Sequence, residues 1–144
     1  MIRGLFSLLL SLIWISSAWA AEKIARYEVL IEVQQDADFL VTEKINVISE
    51  GRKIRRGIFR DLPRFKLDDG ATVPYQYKIL SVTRNGKREP FIEDSQDNAK
   101  QIRIGDPDYF LPRGQHNYII TYEVKNEVRY FEGFDEVYLS LIHI

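Results

Sequence analysis

The residues best suited to chemistry form a cationic segment between Arg52 and Lys66. It holds seven basic side chains and one acid, Asp61, although the whole 144-residue chain carries 20 basic and 21 acidic groups and a net charge of −1. Guanidinium groups bind carboxylates and phosphates, often through two parallel hydrogen bonds. The segment therefore indicates either an electrostatic clamp inside the fold or a surface that binds anions.

A lone carboxylate, Glu43, falls on the apolar face of a predicted strand. The alternation that begins at Phe39 places Glu43 among valine and isoleucine side chains, where an unpaired charge is strongly unfavourable. We expect Arg56 or Arg60 to fold over the sheet as part of a loop and to bind this carboxylate, with Gly57 allowing a tight turn. A structural ion pair among Glu43, Arg56 and Arg60 is the favoured interpretation of the segment.

The second interpretation of the cationic segment is anion binding. The exposed candidates are Arg52, Lys53, Arg55 and Arg64. The expected ligand is an anionic lipid headgroup or an acidic envelope polymer, and nucleic acid is not expected for an exported, net acidic domain. The two interpretations are compatible, since one arginine can form the clamp while its neighbours stay exposed.

Other reactive side chains give no catalytic pattern. Four carboxylates cluster between residues 89 and 97, but on an expected edge strand and polar turn rather than in a cleft that could hold a glycosidic bond. The spacing of a calcium loop is missing, and two histidines, His116 and His143, are too few for a transition-metal site. We therefore expect no enzyme, no cofactor and no metal, and an envelope hydrolase is the least favoured alternative.

The first 20 residues have the pattern of a secretory signal peptide. Arg3 precedes an apolar run over residues 5–15, which is shorter than the roughly 20 residues needed to span a bilayer. Ala18-Trp19-Ala20 is an A-x-A pattern that predicts cleavage between Ala20 and Ala21. Removing 20 of the 144 residues would leave one exported domain, stabilised by its core because the chain has no cysteine. Its expected location is the periplasmic or extracellular face of the cytoplasmic membrane.

The elements that must position these groups have a periodicity of two. Residues 26–33 and 39–47 alternate apolar and polar side chains, and the short polar break between them predicts a β-hairpin. Further strands are predicted over residues 75–84, 88–93, 100–104 and 117–124.

Two turn signals and one loop connect these strands. Asn85-Gly86 predicts a two-residue hairpin turn, Pro90 marks residues 88–93 as an edge strand, and residues 67–74 are expected to form a loop. The pattern predicts an all-β fold, an antiparallel β-sandwich of immunoglobulin-like, Greek-key type, preceded by an N-terminal signal helix.

Several aromatic residues allow a more specific interpretation. Gly114 lies four residues before Tyr118, the arrangement of a tyrosine corner in which the phenol donates a hydrogen bond to upstream backbone; an ordinary core tyrosine is the alternative. Tyr109-Phe110 and Tyr130-Phe131 are expected in loops, either closing the ends of the sandwich or contacting the rest of a longer protein.

Four segments, in this order, resemble the N-terminal part of the family known as domain of unknown function 2207. They are Y-x-V-x-I-x-V at 27–33, V-T-E-K-I at 41–45, R-G-I-F-R-D-L-P at 56–63 and G-Q-H-N-Y-I-I-T-Y-E-V at 114–124. The resemblance implies an exported β domain over residues 21–138, continuing into membrane-spanning helices that attach the full-length protein to the membrane. It implies no established activity.

The end of the chain departs from the family pattern. An acidic-Leu/Val-Tyr-Trp-Asn run is usual in the family near residues 135–138, and here Leu139 to Ile144 follow instead. We interpret residues 139–144 as a non-native tail of a truncated reading frame. The expected function is that of a non-catalytic exported binding or structural domain, with an anion-binding sensor domain as the alternative.

Overall fold

The computed structural model describes residues 21–125 and 128–137. Within these residues every regular element is a β-strand and every strand pairing is antiparallel, as the alternation predicts. The described part of the chain therefore contains no helix that could cross a bilayer. The predicted signal helix, the Ala20 side of the predicted cleavage site and the tail at 139–144 lie outside the described residues.

The strands follow one another closely along the chain. They are β1 (Lys23–Val33), β2 (Phe39–Ser49), β3 (Ile58–Pro63), β4 (Phe65–Asp68), β5 (Ala71–Pro74), β6 (Tyr77–Arg84), β7 (Lys87–Arg88), β8 (Phe91–Ser95), β9 (Ala99–Ile104), β10 (Gly114–Val124), β11 (Val128–Phe131) and β12 (Phe134–Val137).

The largest sheet has five strands in the order β1-β2-β10-β6-β7. Both hairpins predicted for it are present: β1 pairs with β2 up to Val33 opposite Phe39, and β6 pairs with β7 across Asn85-Gly86. Asn85 and Gly86 have φ values of 51° and 77°, the conformation that a two-residue turn of type I′ requires. Strand β10 lies between β2 and β6 and so joins the two hairpins.

A second sheet has three strands in the order β3-β9-β8, and β4-β5 and β11-β12 form two separate hairpins. Three expectations were wrong here. The cationic segment is not a loop throughout, because residues 58–63 form β3; residues 67–74 are not a loop, because they belong to the β4-β5 hairpin; and Tyr130-Phe131 belong to β11.

Pro90 divides the predicted strand at residues 88–93 between the two sheets. Strand β7 ends at Arg88 in the five-stranded sheet, and β8 begins at Phe91 in the three-stranded sheet. Proline has no N–H to donate to a strand ladder, and the Pro90 carbonyl instead accepts a hydrogen bond from the Gly105 N–H at 2.8 Å. Both β7 and β8 lie at the edge of their sheets, as predicted, but the prediction missed that the chain passes from one sheet to the other at Pro90.

The five-stranded and three-stranded sheets share one hydrophobic core. Phe39, Val41, Ile45, Val47, Val82, Tyr118, Ile120, Tyr122 and Val124 come from the first sheet, and Ile58, Leu62, Ile102 and Ile104 from the second. Alternate residues of β2 and of most of β10 are buried, whereas the inward residues of the edge strand β1 are only partly buried.

Tyr118 does not form a tyrosine corner. Its side chain is fully buried, and its hydroxyl has no hydrogen-bond partner among the described residues. The alternative, a core tyrosine, is what the geometry supports, and burial raises the pKa of Tyr118 to about 12.

Candidate functional site

The buried charge predicted on β2 is present, and its partner is Arg60. Alternation turns Glu43 of β2 and Arg60 of β3 toward each other between the sheets, and both side chains have an exposed fraction of 0%. Arg60 donates from Nε to Glu43 Oε2 at 2.6 Å and from Nη2 to Oε1 at 2.8 Å. This is a bidentate pair, the geometry in which arginine binds a carboxylate most strongly.

Two tyrosines also contact this pair. Tyr122 Oη donates to Glu43 Oε1 at 2.6 Å, and Arg60 Nη2 lies 3.4 Å from Tyr27 Oη. Burial and the Glu43 charge raise the pKa of Tyr122 above its ordinary value, and the same two causes raise the pKa of Tyr27 to about 12. Burial alone would lower the pKa of Arg60, but its hydrogen bonds to Glu43 raise it. Glu43 and Arg60 are thus closed to solvent, whereas Tyr27 is partly exposed.

Arg56, the other arginine expected to bind Glu43, is not part of this pair. It precedes β3, is exposed, and its guanidinium carbon lies 4.6 Å from the centroid of the Phe110 ring. The physical reason is that strand alternation starts only at Ile58, so the inward side chains are Ile58, Arg60 and Leu62.

A surface groove lies where β3 begins and β9 ends. Its volume is 390 Å³, and we call it the basic groove. Its lining residues are Lys53, Arg55, Arg56, Gly57, Ile58, Phe59, Ile92, Arg103, Ile104, Gly105, Asp106 and Pro107. Four of these side chains are cationic and one is acidic, so the groove favours an anion.

Two glycines, Gly57 and Gly105, are among the residues that line the basic groove. Gly57 and Gly105 have φ values of 143° and 130°, which side chains of L-residues rarely adopt. A Cβ atom on Gly57 would stand 1.8 Å from the Ile104 carbonyl oxygen, and one on Gly105 would stand 1.9 Å from the Arg56 carbonyl oxygen. Gly57 was expected from the sequence to permit a tight turn, but in the structure it permits the close approach of two backbone segments.

Exposed apolar side chains border the groove. Phe59 and Ile92 both lie opposite Arg103 in the strand register, so the three form one row across the outer face of the three-stranded sheet. Phe110 lies beneath the guanidinium groups of Arg55 and Arg56, at 5.1 and 4.6 Å from its ring centroid. Phe59, Ile92 and Phe110 are each 52% exposed, and we call these three the apolar rim.

The predicted anion-binding residues divide into two groups. Lys53 and Arg55 line the basic groove. Arg64 follows the far end of β3, where Nη1 donates to the Gln96 carbonyl at 3.3 Å and the guanidinium lies over Phe65. Arg52 is exposed in the loop before β3 and is not a lining residue.

That loop is itself held by a carboxylate. Glu22 accepts hydrogen bonds from the backbone N–H groups of Glu50, Arg52 and Lys53 at 3.1, 2.7 and 2.6 Å. Burial alone would raise the pKa of Glu22, but these backbone donors hold it below its ordinary value. Ala21, on the far side of the predicted cleavage site, is exposed next to this contact.

The acidic cluster is not arranged as expected. Glu89, one of the four carboxylates assigned to an edge strand and a polar turn, is buried and accepts a hydrogen bond from Arg84 Nε at 2.9 Å. His116 is buried too, with Nε2 at 2.7 Å from the Pro112 carbonyl oxygen. Over the described ranges, no three His, Cys, Asp or Glu side chains come together in a way that could hold a metal ion. His143 lies outside those ranges.

Sequence reasoning missed Arg103 and the apolar rim. Arg103 is far from the cationic segment along the chain and reaches the groove only because β9 pairs with β3. The alternation of residues 100–104 was a usable signal, since it places Arg103 on the face opposite the buried Ile102 and Ile104. Strand β3, one of the two strands that pair with β9, was not visible in the pattern, so the row of Phe59, Arg103 and Ile92 could not be predicted.

Comparison with known proteins agrees with the resemblance seen in the sequence. Residues 23–143 match the family described as predicted membrane protein (DUF2207) N-terminal domain. The chain belongs to this family. It is also 36% identical over 106 residues to the uncharacterised protein YciQ of Escherichia coli strain K12, an alignment that covers 73% of this chain and 17% of that relative. No solved structure matches the chain.

Proposed function

We propose that this DUF2207 chain is a non-catalytic binding and structural domain that presents the basic groove to an anionic ligand. The observation that carries the proposal is the convergence of Lys53, Arg55, Arg56 and Arg103 on one groove with a single acid, Asp106. Clustered cations create a local positive potential, and guanidinium groups bind phosphate and carboxylate oxygens in pairs.

The proposal also includes an immunoglobulin-like fold and export from the cytoplasm. An immunoglobulin-like sandwich is supported by the core that the two larger sheets share. Export to the periplasmic or extracellular face of the cytoplasmic membrane is supported by the pattern of residues 1–20 and by the description of the family as predicted membrane proteins.

The two roles of the cationic segment support each other. Arg60 fixes β3 from inside, and Arg55 and Arg56 reach the groove from the residues immediately before that strand. The domain thus uses its buried charge for rigidity and its exposed charges for binding. A rigid scaffold holds binding groups in place at a lower entropic cost than a mobile loop does.

Heparin-agarose, a general polyanion, tests the proposal. The purified chain should bind at low salt and elute as salt rises, because exposed charges are screened. Arg55→Gln combined with Arg56→Gln should elute at clearly lower salt. Arg64→Gln, an exposed arginine of the same segment outside the groove, is the matched control. The proposal would be contradicted if the chain were not retained at low salt. It would also be contradicted if Arg64→Gln lowered the elution salt by as much per removed charge as the Arg55→Gln and Arg56→Gln variant does.

A further inference from the structure

The face that carries the basic groove has two chemically different ends. Next to the row of Phe59, Arg103 and Ile92 lies a row in which Asp61 and Asp94 flank Gln101. Gln101 Nε2 donates to Asp61 Oδ1 at 2.9 Å, as expected for a solvated sheet surface. Exposed apolar side chains on this face are therefore concentrated at the groove end.

The exposed apolar side chains at that end alternate with cations. Arg103 separates Phe59 from Ile92 in the register, and Arg55 and Arg56 lie over Phe110. Tyr109 beside it is 47% exposed, and the Arg84 guanidinium lies 5.8 Å from the centroid of its ring. Rings and aliphatic groups thus share one surface with guanidinium groups.

Binding of a soluble polyanion requires the cations and does not require exposed aliphatic and aromatic side chains beside them. A bilayer surface contacts both kinds of group, because apolar side chains enter the boundary between headgroups and acyl chains. Long basic side chains bury their stems and place their charges among the phosphates. Clustered cations also favour anionic leaflets over zwitterionic ones.

We propose that the groove end of the domain lies on an anionic phospholipid bilayer, with the apolar rim inserted and the four groove cations at the phosphates. This inference rests on the proposed function and names its ligand. It also gives the domain an orientation, because the three-stranded sheet then meets the membrane at the β3 start and β9 end, while the polar row of Asp61, Gln101 and Asp94 stays in water.

The test compares binding of the purified chain to vesicles and to heparin-agarose. Vesicles contain either phosphatidylglycerol with phosphatidylcholine or phosphatidylcholine alone. The test variant is Phe59→Ser with Ile92→Ser and Phe110→Ser, and the matched control is Leu30→Ser with Leu80→Ser, which removes apolar groups that are 55% and 43% exposed elsewhere. All proteins are made by the same route, so any contribution of residues 1–20 is common to them. Thermal melts verify that each variant is folded.

The unsubstituted chain should bind the anionic vesicles and bind phosphatidylcholine vesicles much less. The rim variant should lose roughly tenfold or more of its partition into anionic vesicles, since each inserted apolar group contributes to interfacial binding, while its elution from heparin stays unchanged. The control variant should behave like the unsubstituted chain in both assays.

Three results would overturn the inference, and they separate it from the proposed function. Heparin binding without vesicle binding would make the partner a soluble polyanion and leave the proposed function standing. Equal vesicle binding by the rim variant would mean that charge alone attracts the domain to the vesicles. Binding to neither probe would remove the inference and the proposed function together.

Discussion

Removing one partner of the Glu43–Arg60 pair should destabilise the domain severely. Glu43→Gln leaves the Arg60 guanidinium fully buried without the carboxylate that neutralises it, and Arg60→Met leaves the Glu43 carboxylate buried without the guanidinium, although Tyr122 still donates to it. Loss of one partner from a buried ion pair costs about 3–5 kcal/mol. Since a small domain has a stability of about 5–15 kcal/mol, each single variant should lose a large part of it.

The double variant, Glu43→Gln with Arg60→Met, tests whether the two residues act as a pair. It buries no charge at these two positions, and the introduced amide oxygen can still accept the hydrogen bond from Tyr122. The loss should therefore be smaller than the sum of the single losses by about 1–3 kcal/mol, the size of coupling expected for residues in direct contact.

Urea unfolding followed by circular dichroism measures these free energies. Lys44→Gln is the matched control, because Lys44 is the next residue of β2 and is exposed; its effect should lie within about 0.5 kcal/mol of zero. Strict additivity of the two single variants would refute the pairing as a source of stability. So would single losses no larger than that of the control.

Three further predictions follow from the backbone and from the tyrosines. Gly57→Ala should lower the free energy of unfolding by more than the roughly 1–3 kcal/mol of a strained backbone, because its Cβ would meet the Ile104 carbonyl. Gly70→Ala is the control, since Gly70 also has positive φ but a Cβ there would lie in open space, and thermal melts should show a smaller loss for it. Tyr118→Phe should keep or raise the melting temperature by removing an unpaired buried hydroxyl, while Tyr122→Phe should lower it. Burial raises the pKa of Tyr118 from 10.0 to about 12, so the folded state holds the phenol proton more tightly and stability should fall as pH rises from 10 toward 12. Urea unfolding across that range should show the decline, and Tyr118→Phe should make the decline smaller.

The alternation of side chains was enough to predict most of the five-stranded sheet. Where one face of a strand is apolar and the other polar, as in β2 and β10, the period of two is visible and the burial follows it. The dipeptide Asn85-Gly86 was enough to predict a hairpin turn, because both residues tolerate positive φ. The same reasoning placed Glu43 inward and required a cationic partner.

The same alternation concealed β3. Its inward residues are Ile58, Arg60 and Leu62, and an arginine at the central inward position counts as polar, so the period of two disappears from the sequence. Phe59, an apolar residue on the outward face, is a second departure from the alternation of apolar and polar residues. Arg60, which forms the predicted ion pair, was thus the reason why β3 could not be recognised in the sequence. Without β3, the basic groove and the position of Arg103 in it could not be predicted.

The clamp and the groove share β3, which makes their coupling measurable. Glu43→Gln changes no cation of the basic groove and removes one negative charge from the domain, so Coulomb's law alone predicts slightly tighter binding of heparin. If the buried pair positions β3, the start of that strand should shift in Glu43→Gln, and the groove of this variant should bind heparin more weakly. The two accounts predict opposite shifts in the salt concentration at which the variant elutes from heparin-agarose. Glu32→Gln, which removes an exposed carboxylate of β1, is the charge-matched control. Tighter binding by Glu43→Gln would mean that the clamp stabilises the fold without shaping the site.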